Sequence, residues 1–300
     1  MDLERAFSSD VLIELKEVKK NNGVVLDGLT IQTNDSSITP CIYLNGYYDQ
    51  FQIGRSISSI IGEISASYDN SKVSQDQHFG KVSQLLDFNA IKDSIYFRVV
   101  NADLNSELLK NAPHKKYLDL AIIYSYLCSE SEDGIGSIII QNNIFNSWDC
   151  TLESLHDIAV TNTMRLFPAR IQSMEDILAG MLGAEIPTSR QKSGSITPLM
   201  YVLTNTRGIH GASTIFYPQV LKQFVKNCKE SVNQIIILPS SIHETILIPL
   251  KCDTSISDLN QMIKEINEKE VAKEEVLSNH VYYYSVSDDE IRMEQEAVNE

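Results

Sequence analysis

The residue types best suited to catalysis are concentrated in the segment 238–244, which reads Leu-Pro-Ser-Ser-Ile-His-Glu. Ser240 or Ser241 could act as a nucleophile with His243 as its base, and Glu244 could complete a hydrolase-like triad. Along a strand, however, Ser241 and His243 share one face while Glu244 points to the other. The segment also lacks the strand–turn–helix context of a G-x-S-x-G nucleophile elbow. Because Pro-Ser-Ser separates two apolar runs, the pattern more simply predicts a turn between strands.

The histidines of the C-terminal third are a second source of chemistry. His210 lies between Gly208 and Gly211, which predicts a hairpin turn, and together with His243 and His280 it could form a histidine cluster. Metal sites usually draw on short local spacings such as H-x-x-x-H, and the sequence has none. We therefore expect no metal, and we keep His210 as a candidate binding residue.

Two further features are candidates for binding. Arg207 directly follows a predicted strand, where its guanidinium could clamp a carboxylate or a phosphate. The run Tyr282-Tyr283-Tyr284 alternates between the two faces of a predicted strand, so at least one tyrosine should be exposed as an interface anchor. Arg207, Tyr282 and Tyr284 are accordingly predicted to contribute to an interface.

Phosphate-binding glycine loops are absent from the sequence. Gly134-Ile135-Gly136 lacks the third glycine and the following helix that a dinucleotide site requires. No kinase, H-E-x-x-H or EF-hand pattern is found. We expect no cofactor.

Charge is the strongest compositional feature, at −15 overall. Residues 270–300 hold nine acidic and two basic residues, a net charge of −7, and residues 288–300 are predicted to form an acidic tail. Direct binding to nucleic acid or to an anionic membrane is disfavoured, because both depend on Lys and Arg. The acidity is consistent with a solvated surface or with a basic protein partner.

The cysteines and the N-terminus predict a cytoplasmic protein. The five cysteines are widely spaced, without a C-x-x-C pair, so neither a disulfide framework nor a zinc knuckle is indicated. The first residues lack the basic and apolar regions of a signal peptide, and no apolar run approaches the roughly 20 residues that span a bilayer.

The pattern of apolar residues predicts an N-terminal α/β region over residues 1–184, which would divide into 1–70 and 82–184 if it forms two subunits. Residues 4–20 have helical spacing, and strands at 24–31 and 38–44 lead to a helix that begins near Ile57. Further strands are predicted at 95–100, 118–127 and 136–141. The polar residues 185–198 are predicted to be a linker.

The region 199–287 is predicted to form a C-terminal α/β domain. Its order is ββαββαβ, with strands at 200–204, 212–216, 234–238, 245–250 and 281–286. The fold class is therefore α/β with α+β character. Two or three small mixed or antiparallel sheets would have their helices packed on one face.

Several runs resemble an uncharacterised domain-of-unknown-function family of gut anaerobic Firmicutes, and the similarity covers nearly the whole chain. These runs are residues 20–30, 38–44, 117–121, 238–244, 281–284, and Trp148 with 151–155. The family carries no activity or catalytic residue to transfer. Because its members occur in bacterial settings typical of mobile genetic elements, the resemblance implies an accessory or defence-related role.

These observations lead to two functional hypotheses. The first is a non-enzymatic accessory protein that binds another protein, in its sharper form as an acidic inhibitor of a nucleic-acid-processing or defence system. The alternative is a hydrolase-like enzyme with its site around Ser241, His243 and Glu244. The oligomeric state and the partner are not predicted.

Overall fold

Small antiparallel sheets joined by short helices make up the chain in a computed structural model. The structure describes residues 11–33, 41–72, 83–131, 134–183, 200–228, 232, 234–239, 241–250 and 256–293. Two compact units are present: unit 1 comprises Met1–Lys92 and Leu127–Ile138, and unit 2 comprises Asp93–Tyr126 and Ile139–Glu300. The predicted α/β class with small antiparallel sheets is confirmed.

Unit 1 contains a three-stranded sheet and three α-helices among its described residues. Their bounds are β1 Val11–Lys19, β2 Val25–Thr33, β3 Cys41–Tyr43, α1 Asn45–Gln52, α2 Ile57–Lys72 and α3 Phe88–Ile91. The sheet order is β1-β2-β3, and both strand pairs are antiparallel. Leu29 and Ile31 of β2 form an apolar cluster with Ile60, Ile64 and Tyr68 of α2. The helical stripe predicted after Ile57 therefore supplies the core of this unit.

The helix predicted at residues 4–20 is wrong where the structure describes it, because residues 11–19 form β1. Asn22 and Gly23 adopt positive φ angles of 58° and 69° in the turn after β1. This turn reverses the chain, so that all nine residues of β1 pair with β2. The ladder satisfies the backbone groups of both strands, and this outweighs the helical spacing of the apolar side chains. Residues 4–10 lie outside the described residues.

The first sheet of unit 2 is built on a long hairpin. The bounds are β4 Ile95–Asn101, α4 Ser106–Asn111, β5 His114–Tyr117, β6 Leu120–Ser131, β7 Gly134–Ile139, α5 Asn142–Phe145 and α6 Leu152–Leu166. The order is β4-β6-β5, and β7 also pairs with β6; residues 127–138 of this hairpin belong to unit 1.

Helix α6 covers the outer edge of β4. Asn162 donates through Nδ2 to Ile95 O at 2.9 Å, and Phe97 N donates to Thr163 Oγ1 at 2.9 Å. An edge strand otherwise leaves such groups unpaired. Buried polar side chains of α6 therefore fix the position of β4.

The second sheet of unit 2 has six strands in the order β13-β12-β10-β11-β9-β8. The strands are β8 Ala169–Ser173, β9 Tyr201–Asn205, β10 Gln234–Leu238, β11 Thr245–Leu250, β12 Tyr282–Ser285 and β13 Glu290–Met293, and every pair is antiparallel. The helices of this region are α7 Met174–Met181, α8 Val220–Asn227 and α9 Ile256–Lys269. Among the described residues, no helix has the length and apolar character needed to cross a membrane.

Two predicted elements of this region differ in the structure. The strand predicted at 212–216 is a 3-10 helix, Gly211–Phe216, because His210 has a positive φ of 53° and turns the chain away from β9. Consequently the predicted order ββαββαβ is wrong: the helix α8 follows a single strand, and two strands, β12 and β13, come last. Residues 290–293 of the predicted acidic tail are β13, and residues 294–300 lie outside the described residues.

The predicted linker 185–198 also lies outside the described residues. The strands on either side of it, β8 and β9, are neighbours in one sheet. The chain divides into compact units at Lys92 and at the hairpin residues 127–138.

Candidate functional site

The described residues of the segment 238–244 lie at the corner between β10 and β11, beside a second segment, 275–278. Backbone hydrogen bonds of 2.8 and 3.0 Å and an isolated bridge between Ser241 and Val276 join the two segments. This pairing gives the corner a fixed backbone. The segment is therefore a good scaffold for side chains.

The structure does not bring the predicted hydrolase residues together. Ser241 Oγ accepts a hydrogen bond from the backbone N of His243 at 3.0 Å, as in a local turn, and Glu244 is exposed. The carboxylate near the imidazole is Glu275, whose Oε1 lies 3.6 Å from His243 Nε2. Ser240 lies outside the described residues. The hypothesis of a hydrolase site around Ser241, His243 and Glu244 stays a prediction.

A partly buried cluster that we call the Arg98 cluster consists of Arg98, His210, His243 and Glu275. Arg98 Nη1 lies 3.1 Å from His210 Nε2. The rings of His210 and His243 are stacked, with centroids 5.9 Å apart and planes 14° from parallel. Of the three histidines that could have formed a cluster, the structure brings His210 and His243 together.

The loop that follows β9 places His210 against this corner. Thr204 Oγ1 donates to His243 O at 2.8 Å, and Asn205 Nδ2 donates to Ile209 O at 2.8 Å. A Cβ atom on Gly211 would lie 2.1 Å from Thr204 Oγ1 and 2.3 Å from His243 O. Only glycine fits at this contact, so the loop and the corner are closely packed.

The hydrogen bonds of the Arg98 cluster determine which histidine nitrogens carry protons. A guanidinium can only donate, so His210 Nε2 must accept and the proton of a neutral His210 lies on Nδ1. Burial lowers the pKa of His210 well below its usual value, and the charge on Arg98 lowers it further. The backbone N of His210 in turn donates to His243 Nδ1 at 3.4 Å, which directs His243 Nε2 towards Glu275.

A second buried cluster, the Asp119 cluster, consists of Asp119, Ser278, His280 and Tyr282. Ser278 Oγ donates to Asp119 Oδ2 at 2.6 Å, and His280 Nδ1 donates to the same oxygen at 3.0 Å. The Tyr282 hydroxyl donates to the other carboxylate oxygen. Asp119 sits in the two-residue turn between β5 and β6, where Leu118 has a positive φ of 55°. Three donors from a distant segment thus meet one carboxylate.

Other polar side chains hold the same segment, 277–281, in place. Asn101 Nδ2 donates to Leu277 O at 3.0 Å and Asn267 Nδ2 donates to Ser278 O at 2.9 Å. The backbone N of Val281 donates to Asn260 Oδ1 at 2.7 Å. These hydrogen bonds restrain the backbone of the segment. His280, whose side chain is 36% exposed, is held away from the other two histidines by Asp119.

A pocket of about 260 Å³ in unit 2, which we call the aromatic pocket, lies beside α8. It is lined by Tyr117, Ile215, Phe216, Tyr217, Pro218, Gln219, Leu221, Lys222, Tyr284, Asp289 and Ile291. Asp289 accepts a hydrogen bond from the Tyr284 hydroxyl, and its other oxygen lies 3.2 Å from Lys222 Nζ. These contacts lower the pKa of Asp289, so its carboxylate stays ionised.

The three candidate binding residues outside the histidine cluster have different environments. Tyr284 is buried and lines the aromatic pocket, and burial raises its pKa to about 12. Tyr282 is fully buried in the Asp119 cluster. Arg207 is exposed, with Nε 3.4 Å from Leu166 O and Cζ 5.9 Å from the centre of the Phe167 ring. Among the described residues, no group of three His, Cys, Asp or Glu side chains could hold a metal ion.

Comparison with known proteins gives a family and no activity. A model described as a family of unknown function, DUF5688, matches residues 1–286. The chain belongs to this family. The predicted membership of a domain-of-unknown-function family is confirmed, and the origin in gut anaerobes stays a prediction. No curated protein and no solved structure matched the chain.

In this DUF5688 member, two charged residues belong to the clusters although the sequence patterns did not reveal them as site residues. Arg98 occurs within the predicted strand 95–100, and Asp119 within the predicted strand 118–127. The sequence could have identified them as charged residues within apolar runs, because charged residues are seldom buried without a partner. Their partners lie 112 and at least 159 residues away along the chain.

Proposed function

We propose that this DUF5688 protein is a non-enzymatic accessory protein of the cytoplasm that binds a basic protein through its aromatic pocket. The observation that supports this function is the set of aromatic rings around an ionised carboxylate, with Tyr117, Phe216 and Tyr284 beside Asp289. The cysteines support a reducing compartment, because Cys41, Cys128, Cys150 and Cys228 are free thiols.

The chemistry of the pocket favours a lysine or arginine side chain from the partner. Aromatic faces attract cations, and a carboxylate at the same place adds a charged hydrogen bond. Lys222 now occupies this position at the carboxylate and would be displaced by the incoming side chain. The volume is slightly below the roughly 300–1,000 Å³ of sites for drug-sized ligands, which suits one amino-acid side chain.

Backbone strain at the rim supports a role in binding. Gln219 and Asp289, which both line the pocket, have positive φ angles of 69° and 54°. Neither is a glycine, and such conformations often occur where a site must be pre-organised. The strain fixes the carboxylate and the start of α8 before a partner arrives.

A short peptide containing one arginine, compared with its citrulline counterpart, tests this function. In an NMR titration of the intact chain, the arginine peptide should cause saturable chemical-shift changes at Tyr117 and Tyr284. The citrulline peptide should cause none. Asp289→Asn should abolish the shifts. Lys222→Met should strengthen binding several-fold, because it removes the internal competitor. Lys226→Met, an exposed lysine of the same helix, is the matched control and should change nothing.

The opposite response to Lys222→Met would contradict the proposal. If this substitution abolished binding, the pocket would take an anionic group instead. Equal binding of both peptides, or none at any salt concentration, would also exclude a site for a basic side chain.

In its sharper form, the proposal is an acidic inhibitor of a nucleic-acid-processing or defence enzyme, in which acidic residues occupy a surface that normally meets nucleic acid. Asp288, Asp289 and Glu290 surround the β12–β13 turn next to the pocket. Such clustered charge accelerates association with a basic partner and makes it sensitive to salt. Neutralising the acidic residues of 288–300 should then reduce the association rate with the enzyme. An unchanged rate would leave only the pocket-based form.

A further inference from the structure

Arg98 has an unusual environment for a buried charge. Burial lowers the pKa of its guanidinium, and its Nε is sealed from solvent without a hydrogen-bond partner. Nη1 donates to the neutral ring of His210. No carboxylate of the described residues lies within 4.0 Å of the guanidinium to balance its charge.

An uncompensated buried cation is costly, so its presence needs a physical reason. Moving a charge out of water carries a penalty that a paired counter-charge normally offsets. The chain has 40 acidic and 25 basic residues, so an acidic partner would have been easy to supply. Among the described residues the fold instead places His210 beside this arginine, so a balancing anion would come from outside the described residues.

Two donors remain open in the cluster. Arg98 Nη2 makes no hydrogen bond to any described residue. His210 Nδ1 carries a proton, because Nε2 accepts from Arg98, and it also makes no hydrogen bond to a described residue. Neither atom is among the sealed, unpartnered atoms, so each keeps some solvent-accessible surface. The open donors carry one positive charge between them.

This set of donors matches one class of anion. A carboxylate has a single charge and two oxygens, and guanidinium groups bind it with parallel N–H donors. A phosphate dianion would need more positive charge than one guanidinium supplies, and Glu275 near His243 would repel its two charges more strongly than the single charge of a carboxylate. We propose that Arg98 and His210 bind the carboxylate group of a small molecule.

Acetate, acetamide and phosphate are suitable probes, titrated into the full chain at constant ionic strength set with sodium chloride. Acetate should give saturable shifts of the ring signals of His210 and His243 and should raise Tm. Acetamide, which has the same shape without the charge, should do neither. Arg98→Met should weaken the binding of acetate at least about tenfold, as expected for the loss of a hydrogen bond between charged groups.

Arg165→Met is the matched control, because the Arg165 guanidinium donates to Asp93 O and Asn162 at the surface of the same unit. It should leave the acetate titration unchanged. Arg98→Lys provides a second variant in case Arg98→Met does not fold. Lysine keeps the positive charge but lacks the planar guanidinium with its parallel N–H donors. Acetate should therefore bind this variant more weakly than the wild type.

Three results would overturn the proposal. Acetate could cause no saturable shift at either histidine, or it could bind Arg98→Met as tightly as the wild type. Phosphate could also bind more tightly than acetate at the same ionic strength, which would assign the site to a different class of anion. The aromatic pocket shares no residue with this site, so failure here would leave the proposed function intact.

Discussion

The Asp119 cluster and the Arg98 cluster lie in the same unit and contain similar residues, but their charges are satisfied differently. The Asp119 carboxylate accepts hydrogen bonds from Ser278, His280 and Tyr282. Within the described part of the chain, the Arg98 guanidinium makes one hydrogen bond, to a neutral imidazole, and Nε has no partner. The segment 275–278 contributes to both clusters, with Glu275 beside His243 and Ser278 at the Asp119 carboxylate.

This difference separates a structural role from a binding role. A buried charge whose hydrogen bonds are complete stabilises a single conformation and has little left to offer a ligand. A buried charge with open donors stabilises the fold less and retains its capacity to bind. Because both clusters contain a histidine and a charged partner, residue types alone do not distinguish them. The count of satisfied hydrogen bonds does.

The largest expected effect is the loss of the Asp119 carboxylate. Asp119→Ala leaves three donors without an acceptor, one of them on the fully buried Tyr282. Breaking such a buried network should lower the free energy of unfolding by about 3–5 kcal/mol. Urea denaturation monitored by circular dichroism measures this change.

Asp103→Ala is the matched control, since Asp103 is exposed in the turn before α4. Its effect should stay within about 0.5 kcal/mol. A similarly small effect of Asp119→Ala would show that the Asp119 cluster is not structural, and the comparison between the clusters would lose its basis.

The next effect should come from the close contact beneath the Arg98 cluster. Gly211→Ala would place a Cβ atom 2.1 Å from Thr204 Oγ1 and 2.3 Å from His243 O. The backbone oxygen of His243 cannot move away without disturbing the corner. We therefore expect the free energy of unfolding to fall by about 1–3 kcal/mol and the ring signals of His210 and His243 to shift.

A second glycine gives the reference for this substitution. Gly62 lies within α2, and a Cβ atom there would meet nothing within 4 Å. Gly62→Ala should therefore stabilise the chain by up to about 1 kcal/mol, because alanine favours helices. Equal effects of the two substitutions would mean that the contact at Gly211 is loose in solution.

The sequence predicted local elements well where burial alone decides them. The strands 234–238 and 245–250 were predicted with the bounds that the structure has, because each is a continuous apolar run. The helical spacing at residues 11–19 gave a wrong result, since the pairing with β2 depends on a turn that apolar spacing does not encode. The spacing of apolar residues thus predicts a helix reliably only where the segment does not pair with another strand.

The candidate sites were predictable only in part for the same reason. His210 and His243 were recognised by type, and their stacking follows from a loop that Gly211 permits. Arg98 and Asp119 were not recognised, because their roles depend on residues more than 100 positions away. Nothing in a single sequence states which distant donor will face a buried charge.

Lowering the pH should destabilise the chain through His210 of the Arg98 cluster, with a smaller effect than the substitutions above. The pKa of His210 is lower in the folded chain than in the unfolded chain, so the unfolded state takes up the proton first as pH falls. Stability is therefore lost from about pH 6.5 downwards until the folded pKa is reached, by at most about 1.4 kcal/mol per pH unit.

His210→Asn isolates this contribution, because asparagine tolerates the positive φ at this position. The difference in unfolding free energy between wild type and variant should shrink or change sign between pH 7 and pH 5. His156 also has a pKa lowered by burial, but it contributes equally to both proteins and cancels. A constant difference across this range would mean that His210 is not buried in solution.

The smallest expected effect is also the sharpest test of the comparison. In a buffer without carboxylates, Arg98→Met removes a buried charge that no described residue balances, and methionine fills a similar volume. The free energy of unfolding should then change by no more than about 1 kcal/mol. Either no change or an increase agrees with a binding role for Arg98 and a structural role for Asp119. Added acetate should stabilise the wild type and not the variant, which would reverse any advantage of the variant. If Arg98→Met instead loses as much stability as Asp119→Ala, the guanidinium has a counter-charge in the folded chain. Arg98 and Asp119 would then have the same structural role.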